Sequence, residues 1–241
     1  MKNLIQIPHP LLPGVLCATL LVLTSLGADR FKLGNAEISA DFDETGLVQM
    51  ALPKSGQSLT LAGDSASLTV NGDQLAVPGL KLKDIKRRKE SVTYTYAAGD
   101  KQLEAIYELK PGWQFISKQL VLTLPPGSTS RVDAIEMFRS ELKTPIAREH
   151  KAASGSGAVF LRLGETNSPP KFGAFLALQN PFLKWERKGG QIAMSYAPDL
   201  EWRASYGPLA SDRVCIGLYP LSGVEFPARN LGEWKYVREP E

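Results

Sequence analysis

The sequence predicts an all-β protein, and three observations carry that prediction. Apolar and polar residues alternate with a period of two in segment after segment, as they do at 36–42. Asn71-Gly72 separates two such segments, and Asn-Gly is a strong signal for a hairpin turn. No window longer than ten residues shows an apolar stripe with a helical period. Many short strands at regular spacing are typical of a two-sheet antiparallel sandwich or a barrel.

The same patterns predict the individual strands. The strand at 36–42 would place Ile38, Ala40 and Phe42 on one face, and it precedes a turn at 43–46. Further strands are predicted at 47–52, 67–70, 74–77, 91–97, 103–109, 113–124, 130–139, 158–163, 172–178, 183–188, 191–196 and 213–218. The section 144–157 loses periodicity and is predicted to be an exposed connection. The basic run 81–89 is predicted to be an edge strand, because lysines keep an exposed edge from pairing with other chains.

The N-terminal segment has the pattern of an export signal. Lys2 is the sole charge before Asp29, and the apolar run from Val15 to Leu26 is too short for the ~20 residues of a spanning helix. Small residues follow the run, as a signal peptidase requires. We expect a signal peptide at 1–27, a secreted or periplasmic domain at 28–236, and a tail or the start of a linker at 237–241. The alternative is that the segment is retained as a membrane anchor.

Composition excludes several chemistries for the mature chain. Without Lys2 it has 27 basic and 25 acidic residues, a net charge of +2, which argues against a nucleic-acid partner. Cys215, between valine and isoleucine, is predicted to be a buried core residue. His150 is the single histidine after the signal segment, and we expect it to be solvated in a surface loop. A metal site built from histidine or cysteine therefore has too few ligands, and no metal or cofactor is expected.

Two acidic residues are the candidates for catalysis. Asp199 and Glu201 are two positions apart, which on a strand places both side chains on one face about 7 Å apart. Glycoside hydrolysis needs two carboxyl groups at such a separation. A pair formed by Tyr206 and Arg203 is the alternative for a lyase. Solvated acids on an exposed strand edge satisfy the same spacing, so the pattern has low specificity.

A cluster of aromatic and polar residues predicts ligand contacts. Its members are Asn180, Trp185, Trp202 and Arg203. Aromatic rings stack on the apolar face of a sugar, and neighbouring polar groups bind its hydroxyls. In a sandwich the same aromatic residues are also core residues, and that interpretation stays open.

Part of the chain resembles a known family. The segments 33–38 and 42–48, with Asp43, Thr45 and Gly46 in the turn, resemble the first hairpin of galactose-mutarotase-like β-supersandwich domains. The segments 179–182, 196–199 and 207–213 resemble the second half of N-terminal domains related to alpha-galactosidase-type glycoside hydrolases. The resemblance implies an antiparallel two-sheet supersandwich with few short helical turns. Aldose epimerases on this fold use two histidines and a glutamate, so the lone His150 disfavours epimerase activity.

These observations favour a non-catalytic, carbohydrate-associated domain of a secreted glycoside hydrolase system. Its expected partners are a carbohydrate and a separate catalytic barrel, with no nucleic acid and no stable membrane span after cleavage. One alternative is a small stand-alone glycosidase or polysaccharide lyase. Another is a structural or adhesion module that binds no sugar.

Overall fold

The computed structural model describes residues 30–151, 157–165 and 172–221. The predicted signal peptide, the predicted tail and the outer limits of the predicted domain lie outside these residues. The described residues form 19 strands and two short 3-10 turns. The first strands are β1 Phe31–Gly34, β2 Ser39–Asp43, β3 Gly46–Ala51, β4 Ser58–Thr60, β5 Ser65–Val70, β6 Asp73–Ala76, β7 Lys81–Arg87, β8 Ser91–Ala98, β9 Lys101–Glu108 and β10 Phe115–Thr123. The remaining strands are β11 Thr129–Glu141, β12 Ile146–Lys151, β13 Ala158–Leu163, β14 Phe172–Leu178, β15 Lys184–Lys188, β16 Gln191–Tyr196, β17 Leu200–Arg203, β18 Leu209–Ala210 and β19 Val214–Pro220.

The strands form three sheets in which every described pair is antiparallel. The largest sheet has nine strands in the order β12-β13-β14-β19-β10-β9-β8-β7, with β18 added beside β10. A six-stranded sheet has the order β15-β16-β11-β5-β6, with β17 added beside β11. Strands β1 to β4 form a smaller sheet in sequence order.

The two smaller sheets together make the second layer of a sandwich. Leu61 and Leu142 form a bridge that joins the four-stranded sheet to the end of β11. The four-stranded sheet packs on the large sheet through Phe42, whose ring meets that of Tyr107 edge-on at 5.1 Å. The six-stranded sheet packs there through Phe138, 5.8 Å from the Lys118 ammonium of β10. The predicted all-β, two-layer sandwich is confirmed.

Most strand predictions are confirmed, and the section 144–157 is a correction as far as residue 151, because 152–156 lie outside the described residues. Residues 146–151 form β12 at the edge of the large sheet, so His150 lies on a strand and not in a surface loop. Charged residues at 148–151 hide the alternation that usually identifies a strand. The basic run forms β7 at the opposite edge, as predicted. Within the described ranges, no helix is long and apolar enough to span a membrane.

Candidate functional site

A cleft of about 630 Å³ lies where the ends of several strands meet. One wall is apolar and consists of Val77, Pro78, Leu80, Leu82 and Tyr96, from the first 3-10 turn, β7 and β8. The other wall is polar and consists of Arg139, Ser140, Glu141 and Gln191, from β11 and β16. Residues 62–65 form the floor, and the turn with Glu44 and Thr45 closes one end. A concave site with an apolar wall and convergent polar groups suits a small organic ligand.

The floor contains a buried carboxylate with two side-chain donors. The Lys118 ammonium donates to Asp64 Oδ1 at 2.5 Å, and the Tyr107 hydroxyl donates to Asp64 Oδ2 at 2.7 Å. Neither charged side chain is more than 1% exposed. The rings of Tyr107 and Phe138 flank the ammonium at 5.4 and 5.8 Å. Burial raises the pKa of Asp64, and Lys118 opposes that rise through its charge and its hydrogen bond.

Buried tyrosines surround this pair. The ring of Tyr94 meets that of Tyr107 edge-on at 5.8 Å and stacks on that of Tyr96 at 6.4 Å. The Tyr94 hydroxyl donates to the carbonyl of Asp43 at 2.5 Å, which fixes the turn that closes the cleft. Burial, as the largest cause, raises the pKa of Tyr94, Tyr96 and Tyr107. The hydroxyls therefore stay protonated and can act as hydrogen-bond donors at neutral pH.

Two local features position the floor. Gly46 has φ of +109°, and a Cβ there would lie 3.2 Å from the Tyr107 hydroxyl oxygen and 3.4 Å from the carbonyl oxygen of Asp64. The turn between β2 and β3 can approach the buried pair because Gly46 has no side chain. Ser140 donates its hydroxyl to the carbonyl of Gly63 at 2.6 Å, which ties the floor to β11.

The rim carries charges that are mostly paired. Arg139 forms hydrogen bonds at 3.0 and 2.5 Å to the two carboxylate oxygens of Glu136, and these bonds raise the pKa of the guanidinium. The ammonium of Lys143 lies 3.3 Å from Glu141. Gln191 is exposed and adds an amide to the rim. The rim can therefore offer amide, carboxylate and guanidinium groups to a ligand's hydroxyls.

The predicted ligand-binding tryptophans lie on the six-stranded sheet but far apart. Trp185 pairs with Met194, which pairs with Phe138, whereas Trp202 pairs with Ser130 on the same strand β11. Eight positions along β11 correspond to about 25 Å at ~3.3 Å per residue. The two rings therefore belong to separate surfaces.

Each predicted ligand-binding residue has partners within the protein. Trp185 Nε1 donates to Glu149 at 3.0 Å, and Trp202 Nε1 donates to the carbonyl of Gly207 at 2.8 Å. Asn180 donates to Asp212 at 2.9 Å and accepts from the backbone of Phe182 at 2.8 Å. Arg203 is exposed and lies 3.3 Å from Glu201. The role of these four residues in ligand binding stays a prediction.

The candidate catalytic acids are exposed and paired with arginines. Asp199 has φ of +46° and precedes β17, so it does not continue the extended strand that contains Glu201. Its carboxylate pairs with Arg131, and that of Glu201 pairs with Arg203. About three fifths of each carboxylate side chain is exposed. A catalytic role for them also stays a prediction.

Sequence reasoning missed the buried pair, although one signal was present. Lys118 interrupts the apolar face of β10, where Ile116, Leu120 and Leu122 are buried. A lysine at such a position needs a buried partner, because an unpaired buried charge is very costly. Its partner Asp64 is 54 residues away, so no local spacing could identify it.

No family profile and no curated protein matches the chain, whereas solved structures do. A kojibiose phosphorylase candidate from the human microbiome has a TM-score of 0.53 at 9% identity, over 86% of this chain and 31% of that one. A polysaccharide lyase has a TM-score of 0.52 at 12% identity, over 78% of this chain and 33% of that one. A galactose mutarotase related enzyme from Lactobacillus acidophilus has a TM-score of 0.45 at 8% identity, over 80% of this chain and 97% of that one. The chain shares the fold of the regions that it matches in the phosphorylase candidate and in the lyase.

This supersandwich is thus an architecture that also occurs in carbohydrate-active enzymes. The chain spans about one third of the length of the phosphorylase candidate and of the lyase. At these identities the likeness establishes the fold alone.

Proposed function

We propose that this supersandwich is a non-catalytic, carbohydrate-binding domain that holds a glycan in the cleft above Asp64. The cleft carries this proposal, because its apolar wall faces a polar wall across a space of about 630 Å³. Sugars present the same two surfaces, since their C–H faces are apolar and their hydroxyl edges are polar. The occurrence of the fold in carbohydrate-active enzymes supports the same ligand class.

The arrangement of the carboxylates supports a binding role over a catalytic one. Both oxygens of Asp64 accept hydrogen bonds from buried donors, so neither is directed at a ligand. Asp199 and Glu201 are exposed and lie outside the lining of the cleft. Glycoside hydrolysis needs an acid and a base on either side of one glycosidic bond.

Two further parts of the proposal concern context. We infer export, from the pattern of the N-terminal segment. We also infer a catalytic barrel as partner, because the chain spans about a third of two carbohydrate-active enzymes. Mass spectrometry of the mature protein should give a chain that starts at or near Ala28. A mature chain that retains Leu20 to Leu23 would contradict the export signal.

The cleft is tested by blocking it. The purified protein is screened against a glycan array, and each hit is measured by calorimetry. Gln191→Trp places a large ring at the exposed rim and should abolish binding, since the cleft would no longer admit a sugar. Gln179→Trp makes the same change at an exposed position outside the cleft and should leave the affinity unchanged.

Three other results would count against the proposal. If Gln191→Trp binds normally while Trp185→Ala or Trp202→Ala does not, the glycan site lies on the predicted aromatic surface and not in the cleft. If no glycan binds, the protein is a structural module. Turnover of glycosides by the isolated chain, lost in Asp199→Asn or Glu201→Gln, would show a small enzyme instead.

A further inference from the structure

A strip of basic side chains runs along the edge strand β7. Residues 81–90 include six basic and two acidic residues, a net charge of +4, whereas the whole chain has a net charge of +3. The remainder of the chain therefore has a net charge of −1. Strand β7 pairs only with β8 in the described sheet, so its other side is open.

The basic side chains of the strip are mostly unpaired. The side chains of Lys81, Lys83, Lys86, Arg88 and Lys89 are exposed and form no ion pair within the described ranges. Elsewhere, exposed basic residues such as Arg131, Arg139 and Arg203 pair with carboxylates. Within this run, Arg87 has a different environment, with its guanidinium 4.3 Å from the ring of Phe31. Protecting an edge strand needs a charge or two, and this strip has five unpaired cations.

The same strand forms part of the cleft. Leu80 and Leu82 contribute to the apolar wall, so the backbone that carries Lys81 and Lys83 also carries part of the cleft lining. Glu44 and Glu141 lie on other parts of the lining. An anionic group near the cleft is attracted toward β7 and repelled from these glutamates, because surface potentials act over several ångströms.

We propose that this strip binds the carboxylates of an acidic polysaccharide, a linear chain of uronic acid units, whose end or internal unit occupies the cleft. This inference rests on the proposed function and adds the class of glycan. Alternate side chains on a strand are about 7 Å apart, and the basic residues of 81–89 follow one another along this edge, interrupted by Asp84 and by the bulge between Leu82 and Asp84. A polymer with one carboxylate on each sugar presents a comparable row.

The surroundings favour a polysaccharide over nucleic acid or membrane. The strip is one strand wide and continues from a cleft of about 630 Å³, a suitable size for a sugar unit. Single-stranded nucleic acid is usually held by aromatic side chains on which its bases stack. Strand β7 has none, and its apolar residues Leu82 and Ile85 are half-buried and unable to insert into a membrane.

The experiment compares one polymer in two charge states. Binding of polygalacturonate oligomers is measured against the same oligomers with their carboxyl groups reduced to alcohols. The native oligomers should bind at least about tenfold more tightly at low salt, and the difference should shrink as salt screens it. Single variants Lys83→Glu, Lys86→Glu and Arg88→Glu should each weaken binding about fivefold or more. Lys184→Glu on the edge strand β15 is the matched control, because Lys184 is also exposed and outside the cleft.

The outcomes separate the two proposals. Equal affinity for native and reduced oligomers, both lost in Gln191→Trp, would overturn the acidic ligand and leave the glycan-binding cleft in place. Equal weakening by Lys184→Glu would also contradict the proposed role of the strip, as would equally tight binding of single-stranded DNA or anionic vesicles. Failure to bind any glycan would remove the proposed function itself.

Discussion

Carboxylates pair with basic residues in two very different regions of this protein. Below the cleft, Asp64 and Lys118 are both inside the sandwich, and the Tyr107 hydroxyl also donates a hydrogen bond to the carboxylate. At the far part of β11, Asp199 pairs with Arg131, and Glu201 pairs with Arg203, all in contact with solvent. Glu201 and Arg203 are two positions apart in the chain, whereas Asp199 and Arg131 are 68 positions apart and meet only through the fold. The buried pair matters more to the fold, because water cannot replace a missing partner there.

The largest expected effect on stability is at Asp64. Asp64→Asn should lower the free energy of unfolding by about 3–5 kcal/mol, because the buried Lys118 ammonium loses its counter-charge. Urea denaturation followed by circular dichroism measures the change. The double variant Asp64→Leu, Lys118→Met removes both charges and should recover part of the loss. A loss below about 1 kcal/mol for Asp64→Asn, the range of surface pairs, would mean that other groups compensate the charge of the Lys118 ammonium.

The turn above the pair should show the next largest effect. Gly46→Ala should cost about 2–3 kcal/mol, since the new methyl group approaches the Tyr107 hydroxyl at a strained backbone position. Gly63→Ala is the control, with φ of +78° and no atom within 4 Å of the added carbon. It should cost only the backbone strain, about 1–2 kcal/mol. Equal losses in urea denaturation would show that the contact with the buried pair is unimportant.

Alkaline pH should lower the free energy of unfolding through the buried tyrosines. The pKa of Tyr94, Tyr96 and Tyr107 is raised by burial, and burial also raises the pKa of Tyr196 to about 12. Above pH ~10, tyrosines of the unfolded chain lose protons that the folded protein retains. The folded state then binds more protons, so stability is intact below pH ~10 and falls as pH rises further. Denaturation at pH 8, 10 and 11 should show this fall, with a shallower slope in Tyr96→Phe.

The exposed pairs should show the smallest effects. Asp199→Asn and Glu201→Gln should each change the free energy of unfolding by no more than about 0.5 kcal/mol, because solvent screens both charges. The same urea titrations used for Asp64→Asn provide the measurement. A loss above about 2 kcal/mol in either variant would show that the surface network around Arg131 is a structural element.

The sequence predicted the fold well where local patterns determine it. The alternation at 36–42 identified the buried face with Ile38 and Phe42, and Asn71-Gly72 identified the hairpin of β5 and β6. Both residues of that turn have positive φ, as the hairpin geometry requires. The alternation pattern did not identify β12, because charged residues occupy this strand at the edge of the sheet.

The site was less predictable because tertiary contacts assemble it. The lining of the cleft comes from segments between Glu44 and Gln191, and no spacing in the chain brings them together. The aromatic cluster near Trp185 and Trp202 is compact in sequence, yet β11 holds its members apart. Lys118 was the one local sign of the buried pair, and its meaning depends on a partner that only the fold supplies.

The position of β19 has a consequence for the order in which the protein folds. This strand is inserted between β14 and β10 at the centre of the large sheet, and Ile116 of β10 pairs with Ile216. A chain that is synthesised from its N-terminus completes β10 about a hundred residues before its neighbour β19 exists. The central hydrogen bonds of the sheet therefore form late, and such non-local pairing usually gives folding times of milliseconds to seconds. Until β19 arrives, the nascent chain has two separate half-sheets with open inner edges.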